Sequence, residues 1–384
     1  MPNAMTSRER VLAAIRREPV DYVPCVVAFN PLSAVQRRGR EWQFPWPADA
    51  PWEERLRYQV EELGLDQLVP VGVGGQRSAE GVTSRMWREG DILHKAFTTP
   101  CGTLHAAVRV NELWPHGDNI PFNSDFNIGH FVEPWVETEA DLACLMQLQQ
   151  PRNRTDIVAE ARPHVATAKA LAARYGLATI AHVGSGLTGA MHLFGASPLC
   201  MATVEQPELV DAYLEHEHRL NLLALDALGE LGVDIVRRNG FYETADFYGP
   251  AMLERFLGDR LRREAAAAHA GGMVVSYTVH TGVMPILDYL AALPIDSLFG
   301  IDIAFKGVDP PTLRDRLCPT KCLWTGPSST FHLWEGADAT RAAVRQAFEV
   351  FGPTGLILSP CVSAHSIMPW ASTLAMVDEW QKLR

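Results

Sequence analysis

MVVSYTVHTGVMPILDYL, residues 273–290, decides the fold. Its first eight residues, MVVSYTVH, concentrate β-branched and aromatic side chains as a buried strand does, Thr281-Gly282 breaks the run, and an apolar stretch of helical spacing follows. The unit reads as strand, turn and helix, with His280 at the turn. Similar short apolar runs occur at 22–29, 67–73, 178–184, 233–238, 295–301, 321–326 and 355–361, which with 273–280 makes eight. Amphipathic stretches at 52–63, 156–175, 208–231, 250–270 and 337–351 lie between most of them. Alternation of this kind predicts an α/β fold, a single TIM-type (β/α)8 barrel spanning 1–384. Residues 76–135 break the rhythm. Gly81, Gly90, Pro100 and Gly102 punctuate alternating stretches such as DILHKAF and LHAAVRV, which predicts inserted β-hairpins. At the start, Thr6-Ser7-Arg8-Glu9 reads as a capping box opening a helix through Arg17.

The 384 residues carry a formal charge of −11, from 45 acidic and 34 basic side chains, with no basic stripe of the kind that follows a nucleic-acid backbone. A small-molecule substrate is expected instead. No stretch of about eighteen apolar residues is present, nor a signal-peptide core, so the chain is expected to be cytoplasmic and without a membrane partner. Seven cysteines, an odd number spread thinly, point to reduced thiols. Nothing in the pattern separates a monomer from a homodimer.

Barrels of this kind build their sites at the C-terminal strand ends, so each strand end is a candidate. Arg37, Arg38 and Arg40 follow the first run, where guanidinium groups suit a carboxylate or phosphate, or simply a solvated loop. Ser185, Asn239 and Tyr242 are candidate substrate-binding residues at later strand ends. Glu243, with Asp246 nearby, His280 and Asp302 are candidates for acid–base work. His280 and Cys361 would share one rim, and a thiolate with an imidazole suits zinc. Asp302, Glu243, His332 or His365 would have to complete the shell. The alternative is a substrate-binding histidine beside an inert cysteine. The stretch GSGLTG, residues 184–189, matches a dinucleotide pattern, but the strand that must follow is replaced by the helical 205–218, so a glycine-rich substrate loop is expected. His216-Glu217-His218 is expected on a solvated helix face, because residues two apart point differently. Cys318 and Cys322 lack the spacing and second pair of a zinc knuckle.

Across its length the chain resembles the uroporphyrinogen decarboxylase superfamily, which includes cobalamin- and thiol-linked methyltransferases. The resemblance is carried by TSRERVLAAIRREPVDYVPC (6–25), GSGLTGAMHLFGASPLCMATVEQPELVDAYLEHE (184–217), the quoted 273–290 stretch and GPTGLILSPCVSAH (352–365). It implies a TIM-type barrel. In the methyltransferases a His-x-Cys pair and a distant cysteine hold zinc; His280 and Cys361 match the ends of that motif, and the middle cysteine is absent, with Gly282 in its place or a short deletion removing it. Asp302 lies where related methionine synthases draw an acidic ligand. The implied activity is movement of a methyl group from a methoxy, halide, corrinoid or folate donor to a soft nucleophile such as a thiol, tetrahydrofolate or a corrinoid. No D-x-H-x-x-G corrinoid motif occurs, so cobalamin would arrive on a partner corrinoid protein, or tetrahydrofolate would serve. The decarboxylases proper carry an arginine-rich segment ending in Gly-Arg and an aspartate near the fourth strand. Here Arg37-Arg38-Gly39-Arg40 lies in another context and Phe241-Tyr242 replaces the aspartate, which argues against porphyrinogen decarboxylation. A decarboxylase of a small polycarboxylate and a non-catalytic binding barrel are the alternatives.

Overall fold

The structure, a computed structural model, describes residues 4–124 and 128–384; residues 1–3, and 125–127 within the expected insertion, lie outside the described residues. Seven strands form one parallel sheet: β1 (Leu68–Val71), β2 (Ala178–Val183), β3 (Ile235–Asn239), β4 (Val274–Thr278), β5 (Ser297–Phe299), β6 (Cys322–Thr325) and β7 (Leu356–Leu358). Strand order in the sheet follows chain order, every neighbour is parallel, and helices supply the crossovers that parallel pairing demands. The wind is TIM-like.

The run at 22–29 forms no regular strand at its start. Pro24 interrupts it and has no amide to donate. The segment instead makes a parallel bridge between Cys25 and Leu358 and a short pairing of Phe29–Asn30 with Ala364–His365. On its other side the Asp66 amide donates to the Cys25 carbonyl at 2.9 Å, and the Gln67 side chain donates to the Val27 carbonyl at 2.9 Å, where a ladder would use a backbone amide. No regular ladder joins this segment to β1.

Helix α1 (Ser7–Ile15) starts at the expected capping box, Thr6 with Glu9. Its Val11, Leu12, Ala14 and Ile15 pack with Ala178, Ile235, Val274, Cys322 and Ile357, side chains from five strands, and so cover the N-terminal end of the sheet's inner face. Two ion pairs fix it there: Arg10 with Asp66, just before β1, at 2.6 Å, and Arg8 with Asp234, just before β3, at 2.6 Å. An antiparallel sheet of Thr83–Glu89, Ile92–Thr99, Gly102–Arg109 and Phe131–Glu133 occupies the region of broken rhythm. Its Leu93, Leu104, Ala106 and Val108 join the main core. Among the described residues no single helix is long and apolar enough to cross a membrane.

Candidate active site

Strand period two sends alternate side chains inward. In β3 the adjacent arginines therefore part. Arg237 faces in and Arg238 faces the surrounding helices. Arg237 pairs in register with His182 of β2 and Ser276 of β4. Arg237 and His182 line a cavity of about 370 Å³ whose wall also includes Arg55 and the rings of Phe29, Phe44, Trp46, Trp52 and Phe299. No aspartate or glutamate is among its described lining residues. The Arg237 guanidinium lies 3.8 Å from the Phe299 ring centroid and 4.5 Å from that of Trp324, so aromatic faces hold it. It is 7% exposed; its Nε reaches Ser276 Oγ at 3.4 Å, and its Nη2 has no hydrogen-bond partner among the described residues. Burial pulls its pKa down to about 9, which leaves it a cation at neutral pH. Burying an unpaired cation costs several kcal/mol, so this residue is not there for stability.

Arg238 anchors a separate buried network. Its Nε donates to Glu264 at 3.0 Å, with Glu243 at 3.6 Å and Glu217 at 3.9 Å. Glu243 is fully buried; it accepts from the Leu187 amide at 2.8 Å and from the Tyr277 hydroxyl. Burial, opposed by Arg238, raises its pKa to about 7. Its carboxyl group does not face the cavity, which corrects the expectation of a substrate-facing or metal-binding acid. Glu217 accepts from the Ser185 and Gly186 amides at 2.6 and 2.9 Å, and His218 meets Glu264 at 2.9 Å. His216 and His218, expected on a solvated face, are buried, with Glu217 half-buried between them, because α3 (Pro207–Glu230) is wedged between α2 (Gly186–Phe194) and α4 (Asp259–Ala270). GSGLTG is likewise no open substrate loop. It opens the wholly buried α2, and Gly186 (φ +48°) has no side chain because a Cβ would lie 2.3 Å from both Arg238 Nη2 and Glu243 Oε1. Ser185 is tied into this network through its amide.

At the C-terminal rim, Gly300-Ile301-Asp302 gathers the neighbouring strand ends. Gly300 O accepts from His280 Nδ1 at 2.7 Å, and the Asp302 amide donates to the His280 carbonyl at 3.2 Å. A carbonyl only accepts, so Nδ1 carries a proton, and in the neutral ring the lone pair is then on Nε2. Ile301 O accepts from Cys361 Sγ at 3.1 Å and Thr325 Oγ1 at 2.8 Å. Asp302 Oδ2 accepts from Ser328 Oγ at 2.6 Å and Oδ1 from the Ala304 amide at 3.0 Å.

His280, Cys361 and Asp302 thus meet one backbone turn, but they do not form the expected zinc shell. Among the described residues no three His, Cys, Asp or Glu side chains are grouped to hold a metal. Burial, the largest cause, and Asp302 push the Cys361 thiol up to about 12, and it donates its proton to a carbonyl, which a thiolate cannot do. Nor is there room for the middle cysteine: Gly282 has φ +61°, and a Cβ there would lie 2.6 Å from Asp246 Cγ. The residues present do not fit zinc.

The other candidates scatter. The Arg37 guanidinium lies over Trp42 at 5.7 Å and that of Arg40 over Trp334 at 4.8 Å, and neither lines the cavity. Asn239 sits one inward position beyond Arg237, its Oδ1 3.5 Å from His182 Nδ1. Tyr242 donates its amide to Thr188 and packs edge-on against Phe247. Asp246 accepts from Thr281 Oγ1 at 2.5 Å. His332 Nδ1 accepts from the Ser328 amide at 3.0 Å, and His365 Nε2 lies 3.0 Å from Ser363 Oγ. Cys322 is buried in β6. The sequence reading passed over His182 and Arg237. Their signal was a histidine and an arginine pair inside runs expected to be apolar on both faces.

Residues 121–383 match the uroporphyrinogen decarboxylase (URO-D) family. Among solved structures, a methyltransferase from Methanosarcina mazei superposes with a TM-score of 0.60 at 20% identity, over 98% of this chain and 99% of that one. A B12-independent methionine synthase from Shewanella sp. W3-18-1, in complex with selenomethionine, gives 0.47 at 13% identity, over 94% and 96%. Comparison with curated proteins returns no match. Likeness at these identities is one of fold alone.

Proposed function

The chain belongs to the uroporphyrinogen decarboxylase family, and from that premise we propose that it is a methyltransferase working at the C-terminal mouth of its parallel sheet. The donor is a methoxy compound, a halide, a methylated corrinoid or a methylated folate. The acceptor is a soft nucleophile: a thiol, tetrahydrofolate or a corrinoid brought by a partner protein. The fold shared with the Methanosarcina mazei methyltransferase along nearly both whole chains supports the reading. The observation that carries it is His280, whose Nδ1 is pinned to Gly300 O so that the basic Nε2 is held at the end of β4. Methyl transfer to a thiol needs that base. Nε2 takes the thiol proton as sulfur bonds the methyl carbon; the bond from carbon to the leaving atom breaks, and the leaving atom keeps the electron pair. The imidazolium then gives the proton to the leaving atom where that is an oxygen or nitrogen, and to water where it is a halide or cobalt. Asp302 positions this histidine through the hydrogen bond that its backbone amide donates to the His280 carbonyl.

A second reading, decarboxylation of a small polycarboxylate, draws on the cationic, acid-free cavity wall of Arg237 and Arg55. Porphyrinogen itself is disfavoured by that same wall, which offers no acid to pyrrole nitrogens. The test pairs isotopically labelled methyl donors of the four classes with the three acceptors and follows the label by mass spectrometry. One pair should show transfer, reduced at least about a hundredfold in His280→Ala. Carbon dioxide release from a polycarboxylate with no methyl transfer would replace this reading by the second. Neither reaction, despite ligand binding, would leave a binding barrel.

A further inference from the structure

We propose that the cavity binds the carboxylate of an organic acid with a flat apolar body, the carboxylate meeting Arg237 and the body lying among the aromatic side chains. The proposal goes beyond the methyl-transfer reading and does not depend on it, since His280 is not among the residues that line this cavity. The first argument is how Arg237 is held. Acids usually hold buried arginines through their N–H edges, as Glu264 holds Arg238. Arg237 is held through its faces, by Phe299 and Trp324, and this leaves its in-plane donors unspent. Among the described residues Nε has the long contact to Ser276 and the buried Nη2 has no hydrogen-bond partner. A fork of N–H groups presented edge-on matches the two oxygens of a carboxylate.

The charge around the cavity is the second argument. In a chain with 45 acidic residues, the described cavity wall carries two guanidinium groups and no carboxylate. Arg55, the other cation, has a buried Nε without a hydrogen-bond partner among the described residues. The missing counter-charge is therefore a ligand's. The third argument is shape: Phe29, Phe44, Trp46, Trp52 and Phe299 face a space of about 370 Å³, and ring faces select a flat, apolar body over a hydrated one such as inorganic phosphate.

Benzoate, its neutral isostere benzamide and inorganic phosphate are the probes, titrated calorimetrically into the wild-type chain, Arg237→Met and Arg237→Lys. Benzoate should bind once per chain, and both benzamide binding to the wild type and benzoate binding to Arg237→Met should be at least about tenfold weaker. Arg237→Lys should fall between, because an ammonium keeps the charge but not the fork. Arg237→Met should melt no lower than the wild type, since it removes an unpaired buried charge. Equal affinity for benzoate and benzamide overturns the proposal on the wild-type protein alone, whatever the variants do. So does undiminished benzoate binding by Arg237→Met, no benzoate binding at all, or tighter binding of phosphate than of benzoate. Binding is scored without turnover. No benzoate binding by the wild type with methyl transfer intact would sink this proposal only, and benzoate binding by the wild type with no methyl transfer in any pair would sink the functional reading only.

Discussion

Replacing Glu243 by glutamine should make the protein more stable at alkaline pH and leave it unchanged in acid. Burial raises this carboxyl from its ordinary 4.5 to about 7 in the folded chain. Below 4.5 it is protonated whether folded or not, and stability is full. As pH rises from 4.5, the folded state keeps a proton that the unfolded chain releases, so stability falls, and the loss is complete above 7. The gap of about 2.5 pH units, at about 1.36 kcal/mol each, comes to ~3 kcal/mol. Glutamine is neutral throughout and keeps both contacts. Its Oε1 accepts from the Leu187 amide and its Nε2 donates to the Tyr277 oxygen. Arg238 remains paired with Glu264 at 3.0 Å. Urea denaturation of wild type and Glu243→Gln at pH 4.5 and pH 8 should therefore give a difference near zero in acid and up to about 3 kcal/mol in the variant's favour at pH 8. A variant less stable at pH 8, or a difference independent of pH, would refute the reasoning. Because the carboxyl faces Arg238 and not the cavity, turnover should stay within about tenfold. A loss of about a hundredfold in a stable variant would make Glu243 a catalytic acid after all.

Gly186→Ala should lose about 2–4 kcal/mol in the same assay, because its Cβ collides with Arg238 and Glu243 and φ is +48°. Asp66→Ala strips one partner from Arg10, which is 4% exposed, and should cost about 3–5 kcal/mol by loosening α1 from the start of β1. Cys361→Ala should keep methyl transfer within about tenfold where His280→Ala does not, since the thiol stays protonated and only bonds a carbonyl. In the native protein at pH 8, iodoacetamide should label the exposed Cys101 first and leave Cys361 unmodified, as read by peptide mass spectrometry.

Much of the fold was legible because it is written between chain neighbours. The run MVVSYTVH becomes β4 within two residues at either end, and Thr6 with Glu9 caps α1 as their spacing requires. The run at 22–29 was the exception, and its cause, Pro24, is also local. The candidate site was legible only in outline. His280, Asp302 and Cys361 do share a rim, yet what joins them is the Gly300–Asp302 backbone, and backbone acceptors leave no mark in a residue pattern.

The sequence by itself determined the order of strands and helices, the parallel wind and the family resemblance, since each depends on periodicity along the chain. Only the tertiary structure decided what each polar side chain would meet. Arg237 and Arg238 are neighbours with the same side chain, yet one faces an acid-free cavity between two rings and the other three glutamates. His216-Glu217-His218 looks like a solvated face until α2 and α4 close over it. Period two says that adjacent residues part, but which side is dry, and which charge waits there, depends on segments far away in sequence. Desolvation and partnering belong to the surroundings, and folding creates the surroundings.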